Sequence, residues 1–317
     1  MKIGKSSCFY SLISLLPLFL YASKETAFSS LETEYTPKYC LQLEAAYGKG
    51  MMSEGGIEGI EHMFDQISLE KKKALDIGSG LGGVAFYLAE KYDMQVCGLE
   101  INPWMLAESK KRTPEHLKGK VDFLFSTSNS HWPISESSCD LIYSKGVFTH
   151  LETKDEIFQE CHRLLKKEGL LVITDWLSSE ERRWGENIAR LVELENLALF
   201  PESESGYMEC LKKNGFTLLS VRDDSLVYLR YNQEIVERLR DSAKCKGCLN
   251  CFDEMELAAS IIGYQAIAKA IEVGELRVLR IIAQKRALLH NSPWGVDFGY
   301  SKDRNIFLSA FSQRKAG

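Results

Sequence analysis

The sequence predicts an α/β protein built on a doubly wound, mostly parallel sheet. Short apolar runs alternate along the chain with amphipathic segments, which is the order expected when helices join the strands of one sheet. The apolar run at 75–77 leads directly into a turn that contains four glycines, a feature typical of the junction between strand and helix in such sheets. With 317 residues, of which 45% are hydrophobic, the chain can bury one complete core of this kind.

Each element of the N-terminal half has its own signal. Thr36-Pro37 predicts the start of a helix, because threonine caps helices and proline suits their first position, and Gly48 ends it. Asn102-Pro103 repeats that signal for a later helix. The other elements predicted in this half are a helix at 57–67, a strand at 75–77, a helix at 84–92 and a strand at 95–99.

The C-terminal half continues the alternation. Two capping boxes, Thr153 with Glu156 and Ser178 with Glu181, each predict the start of a helix. Residues 223–273 are mostly helical in pattern and too long for a plain connection, so we expect them to form a lid or a substrate wall. The predicted strands are 139–144, 170–174, 215–221 and 276–284, and the predicted helices are 153–167, 178–197 and 206–213.

The ends of the chain differ from its middle. Lys2 and Lys5 precede an apolar run at 8–22, which resembles a signal peptide and is short for a membrane span. Three explanations remain open: a cleaved leader, a membrane anchor, or an upstream start codon that is not used. The first two imply export or membrane association. The predicted divisions are a leader or anchor at 1–33, the main domain at 34–289 and a tail at 290–317.

The glycine turn and the next strand together predict a nucleoside site. Glycines at a helix N-terminus let a polar ligand approach the backbone amides. The second strand ends in Glu100, and a carboxylate at that place can accept both hydroxyls of a ribose. The spacing of Gly78, Gly80 and Gly83 also fits the dinucleotide pattern GxGxxG, which is a weak signal when it stands alone.

The segment Leu-Asp-Ile-Gly-Ser-Gly at 75–80 resembles the first motif of class I S-adenosylmethionine-dependent methyltransferases. The run at 139–144 resembles their fourth strand, and residues 160–174 resemble the helix, glycine turn and fifth strand that follow it. The resemblance implies a Rossmann-like, seven-stranded sheet with S-adenosyl-L-methionine as cofactor. Because that cofactor is made in the cytosol, its supply favours cytoplasmic access. The residues predicted to bind it are Ser53, Asp76, Gly78, Ser79, Gly80, Gly82, Glu100, Ile101, Ser128, Asn129 and Lys145.

A narrower resemblance precedes the glycine turn. Glu34-Tyr35-Thr36 and the segment at 47–56, YGKGMMSEGG, are similar to phosphoethanolamine N-methyltransferases, which make phosphocholine by methylating phosphoethanolamine three times. The resemblance covers residues 34–180 well. It implies that the Ser53 segment folds over the cofactor and that Tyr35 and His150 form a catalytic dyad.

The chemistry of an amine acceptor is consistent with that dyad. Methyl transfer needs a free lone pair, and an ammonium with a pKa of about 10 is neutral in only about one molecule in 10³ at pH 7, equivalent to about 4 kcal/mol. A hydrogen-bonded His–Tyr pair above the methyl group can accept the proton. His150 follows the fourth strand, at the sheet edge where ligands of α/β proteins bind. Packing roles for both side chains remain the alternative.

The sequence also departs from the family. Ser128 and Asn129 lie where the family has an acid that holds the adenine, and Lys145-Gly146 replaces its Arg-Asp, whereas the aromatic Trp176 is kept as a substrate-binding candidate. Glu195 and Leu197 occupy the positions of the arginine and tyrosine that grip the substrate phosphate. A carboxylate repels a phosphate, so another small acceptor, such as a quinol, a sterol-like molecule or another O, C or N nucleophile, stays open.

Charge and cysteines narrow the function further. The net charge of −5 gives no reason to expect a nucleic-acid partner. Cys245, Cys248 and Cys251 have metal-like spacing, but a closed zinc site needs four ligands, so we expect no metal and reduced thiols. Two function classes remain: a small-molecule methyltransferase, which the intact glycines and His150 favour, or a cofactor-binding scaffold with little catalysis that acts as an interaction module.

Overall fold

The structure is a computed structural model that describes residues 35–195, 197–243 and 250–286. These residues contain one seven-stranded sheet with the strand order β3-β2-β1-β4-β5-β7-β6. The strands are β1 (Lys73–Ile77), β2 (Gln95–Glu100), β3 (Val121–Phe125), β4 (Cys139–Lys145), β5 (Leu165–Leu177), β6 (Phe216–Asp223) and β7 (Arg277–Lys285).

Nine α-helices lie in the part of the chain that the structure describes. Short 3-10 helices at Glu115–Leu117 and Phe148–His150 add to them. The α-helices are α1 (Pro37–Tyr47), α2 (Gly56–Met63), α3 (Gly83–Tyr92), α4 (Pro103–Arg112), α5 (Asp155–Leu164), α6 (Glu186–Glu195), α7 (Glu204–Lys213), α8 (Ser225–Ala243) and α9 (Glu254–Glu272).

The sheet is parallel except for β7, which runs antiparallel to both of its neighbours. The predicted doubly wound, mostly parallel sheet is therefore confirmed. The strand order reverses at β1, which pairs with β2 on one side and with β4 on the other. Ligands of open α/β sheets bind outside the carboxyl ends of the strands at this switch point, so the fold itself indicates where a site should lie.

The turn after β1 is held in a conformation that suits glycine. Gly78 and Gly80 have φ angles of +71° and +54°, a region that side chains with a Cβ rarely adopt. A Cβ at Gly78 would lie 2.5 Å from a methyl carbon of Val147, and one at Gly80 would lie 2.6 Å from the Met52 side chain. The side chains of Val147 and Met52, from two other segments of the chain, therefore lie close against the turn.

The core fills both faces of the sheet and continues into the C-terminal helices. Leu75 and Ile142 lie in one apolar cluster, and Leu141 and Val172 lie in a second, because successive residues of a buried strand point to opposite faces. A third cluster joins α6, α8, α9 and β7, with Tyr231 among its buried members. The predicted helical insertion before the last strand is confirmed by α8 and α9.

Three local predictions are wrong. Thr153 does not cap α5, whose N-cap is Lys154 without a side-chain hydrogen bond. That helix ends at Leu164 rather than at residue 167, because the backbone of Leu165 already pairs with Cys139 as part of β5.

Ser178 does not start a helix either. Its hydroxyl donates to the carbonyl of Glu202 at 3.2 Å, and α6 begins only at Glu186. The capping box that exists was not predicted: it consists of Asp253 and Glu256 at the start of α9.

Two segments with sequence predictions lie outside the described residues, namely the apolar run at 8–22 and the tail at 290–317. No helix among the described residues is long and apolar enough to cross a membrane.

Candidate active site

A cavity opens at the carboxyl ends of β1, β2 and β4. It encloses about 940 Å³ including its mouth. Seven of the eleven residues predicted to bind a nucleoside cofactor line it: Gly78, Gly80, Glu100, Ile101, Ser128, Asn129 and Lys145. We call this space the first cavity.

Glu100 is the one acidic side chain that lines the first cavity in the described ranges. Its Oε2 accepts from the N–H of Gly80 at 2.7 Å, and its Oε1 accepts from the N–H of Ile101 at 2.9 Å and of Asn102 at 2.8 Å. Burial raises the pKa of Glu100, and these three donors act in the opposite direction. Because a carboxylate offers about four lone-pair sites, at least one on Oε2 remains for a ligand hydroxyl.

The far end of the first cavity is polar and uncharged. Ser128 and Asn129 line it together with Trp132, whose indole N–H donates to the carbonyl of Ser128 at 2.7 Å. This bond fixes the loop after β3, where the sequence lacks the family acid. A serine or asparagine can hydrogen-bond an adenine edge there without the help of a charge.

Four predicted cofactor residues do not line the first cavity. Asp76 lies in β1, and Ser79 and Gly82 belong to the glycine turn, but none of the three lines either cavity, whereas Ser53 lines a second cavity. Asp76 is buried, and within the described structure its Oδ2 has no hydrogen-bond partner. Burial raises the pKa of Asp76 to about 8, so the carboxyl is protonated at neutral pH.

The second cavity adjoins the first and encloses about 570 Å³ including its mouth. Tyr35, Met52, Gly146 and His150 line both cavities. The predicted substrate residue Trp176 lines the second one, and so do several side chains that the sequence did not single out: Tyr39, Leu43, Tyr47, Glu54, Thr149, Leu191, Leu199, Tyr264 and Ile267. Leu197 lines it too, whereas the side chain of Glu195 lies outside what the structure describes.

Tyr35 and His150 meet where the two cavities adjoin. The Tyr35 hydroxyl lies 3.1 Å from His150 Nε2, and the ring centroids are 5.8 Å apart. His150 Nδ1 lies 3.2 Å from the carbonyl oxygen of Ala198, which can only accept. Nδ1 therefore carries the proton, and Nε2 accepts from the tyrosine hydroxyl. The predicted contact between the two side chains is confirmed.

The protonation of His150 follows from its surroundings. Burial lowers its pKa to about 4, and the hydrogen bond to Ala198 opposes that shift. The imidazole is consequently neutral at pH 7, as an acceptor of the tyrosine proton must be.

Backbone contacts position Tyr35 over the first cavity. The Asn102 side chain caps α4 through Oδ1, which accepts from the N–H of Trp104 and Met105, and its Nδ2 donates to the Tyr35 carbonyl at 3.1 Å. Thr36 caps α1 directly after it. The Asn102 side chain thus joins the N-terminus of α4 to the segment that carries Tyr35.

Lys145 connects β4 to the Ser53 segment. Its Nζ donates to Ser53 Oγ at 2.7 Å and to the carbonyl of Glu54 at 2.6 Å, and it lies 5.4 Å from the centroid of the Tyr228 ring. Burial lowers the pKa of Lys145 to about 8, with partial compensation by Glu54. The ammonium of this predicted cofactor residue therefore positions a segment that lines both cavities.

Metal binding has no support in the described ranges, in which no group of three His, Cys, Asp or Glu side chains could hold an ion. Cys251 is a part-buried free thiol, and Cys245 and Cys248 lie outside the described residues.

Comparison with known proteins agrees with this geometry. Residues 75–173 match a family model described as a methyltransferase domain. These residues form a methyltransferase domain. The match spans β1 to the middle of β5 and therefore includes the glycine turn, Glu100 and His150.

Beyond the methyltransferase domain, the chain resembles phosphoethanolamine N-methyltransferases. It is 32% identical to the enzyme of Plasmodium falciparum over 177 residues, which cover 54% of this chain and 64% of the relative. It is 27% identical to phosphoethanolamine N-methyltransferase 1 of Arabidopsis thaliana over 208 residues, 65% of this chain and 41% of the relative. The chain thus spans less than two thirds of the length of these relatives.

Solved structures share the fold of the methyltransferase domain and its surroundings. Phosphoethanolamine N-methyltransferase 2 of Haemonchus contortus, in complex with phosphomonomethylethanolamine and S-adenosylhomocysteine, superposes with a TM-score of 0.73 at 21% identity, over 82% of this chain and 60% of that one. A putative sarcosine dimethylglycine methyltransferase of Galdieria sulphuraria gives 0.64 at 21% identity, over 73% and 86%. The fold is that of class I S-adenosylmethionine-dependent methyltransferases.

Proposed function

We propose that this protein transfers a methyl group from S-adenosyl-L-methionine to the nitrogen of a small amine of the phosphoethanolamine type. The observation that carries the proposal is the Tyr35–His150 hydrogen bond at the junction of two cavities, one suited to a nucleoside cofactor and the other to an acceptor. The resemblance to phosphoethanolamine N-methyltransferases supports the same reaction.

The first cavity suits the cofactor in three respects. Gly78 and Gly80 bring the backbone of the turn to the cavity wall, Glu100 presents a carboxylate, and Ser128 with Asn129 offers neutral hydrogen-bonding groups. When bound, S-adenosylmethionine supplies a methyl group on a positively charged sulfur, which accepts the electron pair of the broken C–S bond. Lys145 and Met52 contribute by placing the Ser53 segment across the cavity mouth.

Tyr35 and His150 prepare the acceptor. An amine must lose one proton for each methyl group that it gains while it still carries N–H groups. The Tyr35 oxygen, whose own proton points to His150 Nε2, offers lone pairs to an amine N–H and so orients the nitrogen lone pair towards the methyl group. Because His150 has a low pKa, the pair receives a proton only as the N–C bond forms and the amine becomes more acidic.

The lining of the second cavity also keeps water away from the acceptor. Trp176, Tyr39 and Tyr264 surround the second cavity with rings, so an amine held there is shielded from bulk water. We propose a small molecule as the acceptor.

Membrane association through residues 8–22 is a separate part of the proposal.

The experiment has a binding part and a turnover part. Calorimetry should show that S-adenosylmethionine and S-adenosylhomocysteine bind and that a nicotinamide dinucleotide does not. Labelled methyl groups should then appear on phosphoethanolamine or a related amine in a panel that also contains quinols. Binding without transfer to any acceptor would favour the scaffold alternative, and transfer to a quinol alone would reject the amine.

A further inference from the structure

Glu54 is a buried carboxylate in the second cavity that has no assigned task. Its side chain is 4% exposed and lines the cavity beside Tyr35 and His150. Oε1 has no hydrogen-bond partner in the part of the chain that the structure describes. An unpaired buried charge is costly, so a carboxylate in such a place needs a cation.

The protein itself does not supply that cation within ion-pair distance. Lys145, which is near Glu54, donates to the backbone carbonyl of Glu54 and to Ser53 Oγ. No Lys, Arg or His among the described residues lies within 4.0 Å of the Glu54 carboxylate. The charge of Glu54 is therefore available to a ligand in the cavity.

The walls around Glu54 are those of a cation site. Tyr35, Tyr39, Tyr47, Trp176 and Tyr264 line the cavity. Tyr47 and Tyr264 contact each other edge-on at 5.8 Å between centroids, and Tyr35 and Tyr39 lie 5.7 Å apart. Faces of aromatic rings attract ammonium and methylated ammonium groups.

The same lining offers nothing to a phosphate. Across the described residues that line the second cavity, no lysine or arginine occurs, and Glu54 is the one charged side chain. The remaining unpartnered polar atom is the buried hydroxyl of Thr149, which matches the neutral hydroxyl of an amino alcohol. A phosphate dianion in this space would meet a carboxylate without a compensating cation.

We propose that the acceptor of this protein is a cationic amino alcohol without a phosphate, and that Glu54 is the residue that selects it. The inference rests on the proposed methyl transfer to an amine, and it replaces the phosphorylated amine by the related amino alcohol that carries no phosphate. Glu54 holds the ammonium or methylated ammonium end among the aromatic rings. A protonated acceptor releases its proton to water before transfer. Because positive charge then returns to the nitrogen as the N–C bond forms, the carboxylate also stabilises the transition state.

The first test uses the unaltered protein and two matched ligands, N,N-dimethylethanolamine and its phosphate ester. Calorimetry in the presence of S-adenosylhomocysteine should show tighter binding of the unphosphorylated amine, by about 10-fold or more, the order expected for one charge-assisted contact. The kcat/KM of methyl transfer should show the same preference. Preference for the phosphate ester in both measurements would overturn the proposal while leaving the proposed function intact.

The second test removes the charge and keeps the shape. Glu54→Gln should raise the KM for N,N-dimethylethanolamine by about 10- to 100-fold and reduce the discrimination against the phosphate ester, with affinity for S-adenosylhomocysteine unchanged. Glu58→Gln is the matched control, because Glu58 lies one helical turn away, is exposed and pairs with Arg230. Equal KM values in Glu54→Gln and the parent protein would reject the role of Glu54. Absence of methyl transfer to every amine would instead reject the proposed function.

Discussion

At the scale of single residues, the hydrogen bond between Tyr35 and His150 determines the state of the imidazole. The carbonyl of Ala198 fixes the proton on Nδ1, and Nε2 faces the tyrosine. A protonated imidazole would donate from Nε2 and reverse this hydrogen bond, so the low pKa of His150 keeps the tyrosine hydroxyl as the donor. Burial thus has a chemical consequence as well as a structural one.

The pKa of His150 also predicts a pH dependence of stability. In the folded protein this pKa is about 4, against an ordinary value of 6.5. Between these values the unfolded chain binds the proton and the folded chain does not, so the free energy of unfolding falls as the pH is lowered from 6.5 to 4, by up to about 3 kcal/mol for this group.

Urea unfolding at several pH values measures that effect. The parent protein should lose more stability across the window than His150→Gln, which has no proton to gain at this position. Parallel profiles for the two proteins would show that His150 titrates normally in the folded state.

Glu100 should control affinity for the cofactor. Glu100→Ala removes a carboxylate that faces the first cavity and that orders three backbone donors. We expect the Kd for S-adenosylhomocysteine to rise by about 10- to 100-fold, as measured by calorimetry. Glu115→Ala, at an exposed acid outside both cavities, is the control. A folded Glu100→Ala protein with unchanged affinity would contradict the assignment.

At the scale of elements, Lys145 at the end of β4 holds the segment between α1 and α2. Its ammonium donates to Ser53 Oγ and to the Glu54 carbonyl, so one side chain holds a segment that lines both cavities. Burial at this place lowers the pKa of Lys145.

Removal of this contact should loosen the segment selectively. Lys145→Met keeps the length of the side chain and removes its donors, so hydrogen exchange at residues 51–56 should speed up and the KM for the acceptor should rise. Lys166→Met, which removes an ammonium paired with Asp140 near the other end of the sheet, should change neither. Unaltered exchange at 51–56 in Lys145→Met would show that the segment is held by other contacts.

The elements were more predictable than the details of the site. A glycine turn and a carboxylate at the end of a strand can be recognised from neighbouring residues alone. The places of Gly78, Gly80 and Glu100 at the cavity could therefore be predicted from the sequence. Glu54 could not, because its importance arises from rings on α1, β5 and α9 that are distant in sequence and meet only in the fold.

Two errors concern helix caps. The pattern at Ser178 satisfies a capping box, but the Ser178 hydroxyl donates to the carbonyl of Glu202 instead. Thr153 also fails to cap a helix, and the N-cap of α5 is the next residue, Lys154. In both places the capping motif is present in the sequence and the predicted cap is absent from the described structure, and at Ser178 a distant partner competes for the hydroxyl.

At the scale of the whole molecule, different elements form the two cavities. The carboxyl ends of β1, β2 and β4 form the first cavity, whereas α1, α6 and α9 close the second. An ion pair between Lys38 and Glu256 and a hydrogen bond from Gln42 to the carbonyl of Cys251 join α1 to the start of α9. The predicted wall function of residues 223–273 is consistent with the places of Tyr264 and Ile267 in the lining of the second cavity.

The apolar run at 8–22 predicts either cleavage of the N-terminal segment or association of the protein with membranes. If it acts as a leader or an anchor, the isolated chain should begin near Ser23 or should fractionate with membranes. Mass spectrometry of the N-terminus combined with membrane fractionation measures both. A chain in the soluble fraction that begins before Cys8 would contradict both forms of the proposal.

The central claim is that an amine is methylated where Tyr35 and His150 meet. Its most direct test is the single-turnover rate of transfer of a labelled methyl group from S-adenosylmethionine to an amine at pH 7. His150→Ala should lower that rate by about 10²- to 10⁴-fold, and Tyr35→Phe should lower it less, with the affinity for S-adenosylhomocysteine preserved in both. An unchanged rate in His150→Ala would contradict the account.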